Sequence, residues 1–236
     1  IAMKKLSILF AGIAMLFFAA CKNEEPEKPK VIYEKSKKQN AVQVDTTQFE
    51  IADLPLHVPG TNVLLHPIGN YRVEGKRKSA YGYEKGSFTI SNFSELELTG
   101  DLDNIKFQNI ATDSIVELTD KLVLIQSASI VLHSTKTKMQ FIVYRLADMD
   151  SNQDAKLDGN DIQSLYLSTI EGNNFIKISP DLQELVDWNF IEATSRLYFR
   201  TIEDTNKNGE FDSNDVLHYH YVDLTNWTVH DYKPVK

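Results

Sequence analysis

Two twelve-residue runs of acidic and amide side chains carry the most specific chemistry in this chain. Asp150-Ser151-Asn152-Gln153-Asp154-Ala155-Lys156-Leu157-Asp158-Gly159-Asn160-Asp161 returns 54 residues later as Asp204-Thr205-Asn206-Lys207-Asn208-Gly209-Glu210-Phe211-Asp212-Ser213-Asn214-Asp215, with five of twelve positions identical. In each run Asp or Asn occupies positions 1, 3 and 5, and Asp occupies positions 9 and 12. A hard divalent cation is satisfied by about six to eight oxygens, and alternate side chains of a tight turn converge on one point. Position 7 of such a turn contributes its backbone carbonyl, so the side chains of Lys156 and Glu210 are free to vary. The implied ligand sets are Asp150, Asn152, Asp154, the Lys156 carbonyl, Asp158 and Asp161 in the first loop, and Asp204, Asn206, Asn208, the Glu210 carbonyl, Asp212 and Asp215 in the second. An all-oxygen set of this kind selects Ca2+. Leu157 and Phe211, both at position 8, are expected to bury and tie their loops to the core. Gly209 stands at position 6, where the turn wants a permissive backbone; Ala155 in the first loop departs from that rule.

The spacing resembles the calcium loop of EF-hands, with Asp in place of the longer Glu at position 12. That substitution also makes the runs similar to dockerin loops. Dockerin loops open helices and lie close together, whereas these lie between strand-like segments 54 residues apart.

The remaining chemistry is thinner. His218 and His220 are two apart on a strand-like segment, so both rings face one side, yet no third ligand is evident for a zinc site. Glu95 and Glu97 alternate as the wet face of a strand would, although a pair of carboxylates is also what a glycosidase uses. Trp188, Trp227, Tyr198, Tyr219 and Tyr221 are either core or a sugar-stacking surface. Exposure of Trp188, Tyr198 and Tyr221 on one face would favour the latter. No nucleophile elbow, phosphate-binding glycine loop or reactive thiol is present.

The elements that must position the two loops read as strands. Period-two alternation recurs at 61–66, 79–83, 87–91, 95–99, 104–109, 114–119, 121–125, 129–133, 140–146, 165–170, 175–178, 188–191, 196–202, 216–224 and 227–232, in segments rich in Val, Ile, Phe, Tyr and Thr. No segment sustains a helical period over three turns. The chain is therefore expected to be all-β, as a propeller-like array of short antiparallel strands or alternatively a β-sandwich. Each acidic run is flanked by a strand on either side, which makes a repeat of propeller-like length. Residues 165–179 (LYLSTIEGNNFIKIS), followed by Pro180-Asp181, resemble the strand, glycine turn and strand of Tol-type β-propeller repeats. That resemblance covers about 140–232; sixteen or so strands over the whole body are enough for four blades, the low end for a closed ring. At the corresponding place the second copy reads Asp223-Leu224-Thr225-Asn226-Trp227, without the glycine.

Composition supports a globular body. The 236 residues are 42% hydrophobic, and 25 Lys+Arg against 33 Asp+Glu give a net charge of -8 with a pI near 5.3. Apolar content at that level supplies a core and excludes general disorder. An acidic balance argues against nucleic acid as a partner, because such binders concentrate positive charge to displace counterions.

The N-terminal residues give an address. Lys4 and Lys5, just after a candidate initiator Met3, precede fifteen uncharged, mostly apolar residues, Leu6 to Ala20. That is short of the roughly 20 needed to span a bilayer and suits a secretory signal peptide. Phe18-Ala19-Ala20-Cys21 resembles the lipobox of bacterial lipoproteins, which implies cleavage after residue 20 and lipid attachment at Cys21, the single cysteine. The charged run Lys22-Asn23-Glu24-Glu25 resembles the surface-export signal of Bacteroidetes-type lipoproteins. These resemblances imply a signal peptide at 1–20, a lipidated tether at 21–50, and a β-repeat domain at 51–236 with calcium loops at 150–161 and 204–215. Outer-membrane lipid would be the partner through Cys21, with the outer surface as the location and the periplasmic face as the alternative. Cleavage removes two lysines and takes the net charge to -10.

No catalytic set stands out. The expected function is a cell-envelope lipoprotein whose calcium-stabilised β domain is a non-enzymatic binding module for a protein or glycan ligand. A glycan-directed accessory protein or hydrolase at the cell surface is the alternative, and a calcium-dependent role in envelope assembly a third.

Overall fold

A computed structural model describes residues 28–33, 48–72, 89–132 and 140–235. The signal segment, Cys21, the export-signal run and the strand expected at 79–83 lie outside these. Fourteen strands are present among the described residues: β1 (Gln48–Ala52), β2 (Leu56–His57), β3 (Val63–Arg72), β4 (Ser91–Ser94), β5 (Glu97–Asn109), β6 (Ile115–Glu117), β7 (Leu124–Val131), β8 (Phe141–Ala147), β9 (Gln163–Thr169), β10 (Ile176–Lys177), β11 (Gln183–Ile191), β12 (Arg196–Glu203), β13 (Val216–Asp223) and β14 (Thr228–Asp231). The only helical element among them is a three-residue 3-10 turn at Glu192–Thr194. No helix among the described residues is long and apolar enough to cross a membrane.

All pairings are antiparallel and fall into two open sheets. The first has ten strands, in the order β1-β3-β5-β7-β8-β9-β10, with β2 beside β3 and with β4 and β6 beside β5. The second has four, β11-β12-β13-β14. The all-β expectation holds. A ring of four-stranded blades is not what the sheets form, and a sandwich-like arrangement fits them.

The blade count expected from the sequence fails at β-bulges. Segments 95–99 and 104–109 are one thirteen-residue strand, β5, whose buried residues Leu98, Leu102, Ile105 and Phe107 change phase across register shifts opposite β3 and β7. The strands expected at 121–125 and 129–133 likewise fall on one strand, β7 (Leu124–Val131), with a shift between Ile125 and Ser127. A bulge inserts one residue and flips the alternation, so period-two counting splits one strand in two.

Two cores explain the packing. β8 is buried on both faces: Ile142, Tyr144 and Leu146 join a core made wholly by the first sheet and its connections, whereas Phe141 and Val143 face the second sheet. The first sheet curls around its own core. A Cβ at Gly172, in the β9–β10 turn, would lie 2.6 Å from the ring of Phe107 on β5, although β5 and β9 are not neighbours in the sheet. In the second core, Leu165 and Leu167 of β9 meet Leu185 of β11, Leu197 and Phe199 of β12 and Val222 of β13. Each such side chain stabilises the fold by about 1.5–3 kcal/mol through burial. The second sheet thus lies over the β8–β9 face, and its alternation turns Tyr198 and Arg200 outward.

Candidate metal centre

Each acidic run closes a hairpin, the first between β8 and β9 and the second between β12 and β13. The two loops therefore belong to different sheets. Their internal hydrogen bonds nevertheless agree position by position. At position 1, Asp150 accepts the N–H groups of Asp154 (3.1 Å) and Ala155 (2.9 Å), and Asp204 accepts those of Asn208 (3.2 Å) and Gly209 (2.7 Å). At position 3, Asn152 and Asn206 accept from the N–H of position 5 at 2.9 and 2.8 Å. At position 5, Asp154 and Asn208 accept from position 7, both at 2.8 Å. At position 9, Asp158 and Asp212 accept from position 11 at 2.8 and 2.7 Å. These short bonds are what Asp and Asn form in turns, and they aim the side-chain oxygens inward.

Position 12 closes each loop. Asp161, fully buried, accepts the N–H groups of Ser151 (2.8 Å), Asn152 (3.3 Å) and Asp158 (3.0 Å), with the Ser151 hydroxyl oxygen 3.2 Å away. Burial pushes its carboxyl above the usual carboxylate range, opposed by those hydrogen bonds. Asp215 accepts from Thr205 (3.2 Å) and Asp212 (2.9 Å). The shorter Asp at this position thus pins the two ends of its own loop.

Backbone conformation repeats as well. Positions 4 and 6 are left-handed in both loops: Gln153 and Ala155 at φ of 58° and 66°, Lys207 and Gly209 at 58° and 84°. Ala155 adopts the glycine conformation despite its Cβ, so the departure at position 6 does not change the turn. Leu157 and Phe211 are only half-buried, and neither joins either core cluster. They tie the loops to the body less than the sequence suggests.

Among the described residues, no three His, Cys, Asp or Glu side chains form a ready-made metal centre. The donor set of these loops is broader, since it includes Asn oxygens and the Lys156 and Glu210 carbonyls. It fits Ca2+ chemically. Each carboxylate oxygen has two lone pairs, and those of Asp150, Asp154, Asp158, Asp204 and Asp212 that accept an N–H accept one each from the described residues.

A segment that the sequence marks as tether lies across both loops. Lys30 donates its N–H to Asn160 O (3.1 Å), Val31 to Gly209 O (3.1 Å) and Ile32 to Ser151 O (2.8 Å). In return, the Ser151 hydroxyl donates to Lys30 O (2.7 Å) and the Gln153 amide to Ile32 O (2.8 Å). Tyr33 donates its hydroxyl to Asp204 O at 3.3 Å, and its pKa is pushed up to about 12 by burial and by the charge of Asp204. Val31 is 3% exposed. Sequence reading missed this strap because its polar flanks resemble a solvated linker; alternation at Val31 and Tyr33 was the only signal.

The other candidates separate. His218 meets Glu203 at 2.8 Å, while buried His220 lies between Thr201 Oγ1 (3.0 Å) and Asp231 (2.7 Å). That order of groups mimics a catalytic triad, but its hydroxyl end is the buried one: Thr201 is fully buried and the Asp231 side chain is 87% exposed. A nucleophile there could not meet a substrate.

Tyr198 and Tyr221 do share the outer face of the second sheet, with Tyr219, Tyr232 and His230. Their rings are 5.4–5.6 Å apart at Tyr198–Tyr232 and Tyr198–Tyr221, and the Arg196 guanidinium lies 4.3 Å over Tyr221. Trp188 and Trp227 instead pack against the second core. Trp188 also lines an open depression of about 470 Å³ with Glu95, Glu97, Ser94 and Ser129. Glu184 on β11, unremarked in the sequence, reaches across the sheets to the N–H of Gln163 (2.7 Å) beside Arg145, and burial pushes its pKa up to about 7. Compared with protein-family models, with curated proteins and with solved structures, the chain matches none.

Proposed function

We propose that this chain is a lipid-anchored protein of the bacterial outer membrane, exposed at the cell surface, whose calcium-stabilised, sandwich-like β body is a non-enzymatic binding module. The observation that carries this reading is the agreement of the two loops' hydrogen bonds. Two hairpins in different sheets, with different neighbours, share one frame, so the frame follows from the Asp/Asn pattern itself. Asp150, Asn152, Asp154, Lys156 O, Asp158 and Asp161 hold one Ca2+, and Asp204, Asn206, Asn208, Glu210 O, Asp212 and Asp215 hold the second. Bound Ca2+ neutralises charge that the carboxylates otherwise concentrate in each turn. Six residues lie between Cys21 and Lys28, so lipid attached at Cys21 keeps the start of the strap within roughly 25 Å of the membrane.

The tyrosine face is the surface offered to a ligand, since tyrosines give contact area with little loss of conformational freedom. A protein or a glycan fits it. The depression between Trp188, Glu95 and Glu97 favours a second reading, a glycan-directed accessory protein or hydrolase. Melting in calcium and in chelator tests the main reading. At 100 times the dissociation constant each site adds about 2.7 kcal/mol, so two sites should raise the melting temperature by roughly 10–20 °C. Identical melting curves would contradict it.

A further inference from the structure

The strap at 28–33 does more than cover the loops. Three peptide planes have one end on the strap and the other on the loop's own ligand frame. The Ser151–Asn152 plane gives its C=O to Ile32 N and its N–H to Asp161 Oδ1. The Gly209–Glu210 plane gives its C=O to Val31 N and its N–H to Asn208 Oδ1. The Asn160–Asp161 plane gives its C=O to Lys30 N and its N–H to Asp158 O. Moving Asp161 or Asn208, the ligand side chains that hold the first two planes, tilts a plane that carries a strap hydrogen bond.

We propose that the strap couples the two calcium loops and is itself released when they empty. This rests on the calcium reading above, and adds the regulation of those sites. Strap residues bond to loop one at Ser151, Gln153 and Asn160 and to loop two at Asp204 and Gly209, so ordering either loop favours docking, and docking favours order in the other. Val31 is the hinge pin, buried and bonded to loop two, while Lys30 and Ile32 on either side bond to loop one. By linkage, calcium tightens the strap by the same factor that the strap tightens calcium.

The test uses the full-length chain in mild detergent, with calcium ion as the probe, and two variants. Val31→Asp unseats the strap from outside both loops. Gly209→Ala places a Cβ 2.6 Å from the Val31 carbonyl, while Ala155 shows that alanine accepts the φ of position 6. Trypsin cleavage after Lys30 should be at least about tenfold slower in saturating calcium than in chelator. Both variants should bind two calcium ions, lose that protection, and show roughly fivefold or weaker apparent affinity, the lower end of ordinary site-to-site coupling, without cooperativity. Melting in chelator identifies a variant that fails to fold, and the other then decides. Two ions bound with parental affinity and cooperativity by the folded variants, or cleavage indifferent to calcium in a parent that binds two ions, overturns the coupling and leaves the calcium reading standing. A parent that binds no calcium overturns both.

Discussion

Replacing Glu184 by Gln should change the stability of this protein in a way that depends on pH. Glu184 is 9% exposed, held between the two sheets with its Oε2 on the Gln163 N–H at 2.7 Å and its Oε1 3.6 Å from Arg145. Burial outweighs both partners and pushes its pKa from 4.5 up to about 7. A carboxyl whose folded pKa is raised binds its proton more tightly in the folded state. Its contribution is fully present below pH 4.5 and is lost as the pH rises through 7. The loss amounts to about 3 kcal/mol at most, or roughly 6–12 °C in melting temperature for a chain of this size. Gln keeps the acceptor for Gln163 and cannot ionise. It gives up only the Arg145 pair, which is partly exposed and contributes at most about 1 kcal/mol. Parent and variant should melt together at pH 4.5 and diverge by pH 8, with the variant higher by several degrees, when both are scanned in chelator so that metal does not enter. A difference that stays constant from pH 4.5 to 8, or a variant that melts lower at pH 8, would refute the reasoning.

Ala155→Gly removes a Cβ from a left-handed residue and loses one buried methyl group, two effects of about 1 kcal/mol with opposite sign. Chemical denaturation should find the variant within about 1 kcal/mol of the parent, and a larger loss would mean that the first loop is not built as described. Phe199→Ala empties the centre of the second core and should cost about 3–5 kcal/mol in the same assay. Cys21→Ala should abolish palmitate labelling and membrane association, whereas replacing Lys22, Glu24 and Glu25 together should keep the label and hide the protein from protease added to intact cells.

Much of the body is legible in residue types. β8 and β12 follow from their apolar and alternating patterns, and the hairpins holding the acidic loops follow from strands on both sides of each run. The number of strands did not, because bulges near Asp103 and Gln126 invert the alternation inside β5 and β7 without breaking either strand. The loops' hydrogen-bond frame was implicit in the spacing of Asp and Asn, which bond to the backbone two to five residues on whatever sheet they serve. Three features depend on tertiary contact and left almost no local trace. The strap is a polar stretch whose hydrogen-bond partners are loops more than 100 residues away. Glu184 reads as an ordinary surface acid until its own sheet packs against the first and covers it. The tyrosine face needs strands β12, β13 and the residues around β14 in register, which alternation alone does not supply.

Counting bound calcium tests the central claim most directly. Isothermal titration of the chain beginning at Lys22 should give two ions per molecule, one each for Asp150→Ala and Asp204→Ala, and none when both are replaced. Magnesium at equal concentration should bind more weakly, since it demands a tighter, near-ideal octahedral site and gives up its waters reluctantly. A folded parent that takes up no calcium at millimolar concentration, or one whose stoichiometry is unchanged by either substitution, would contradict the account.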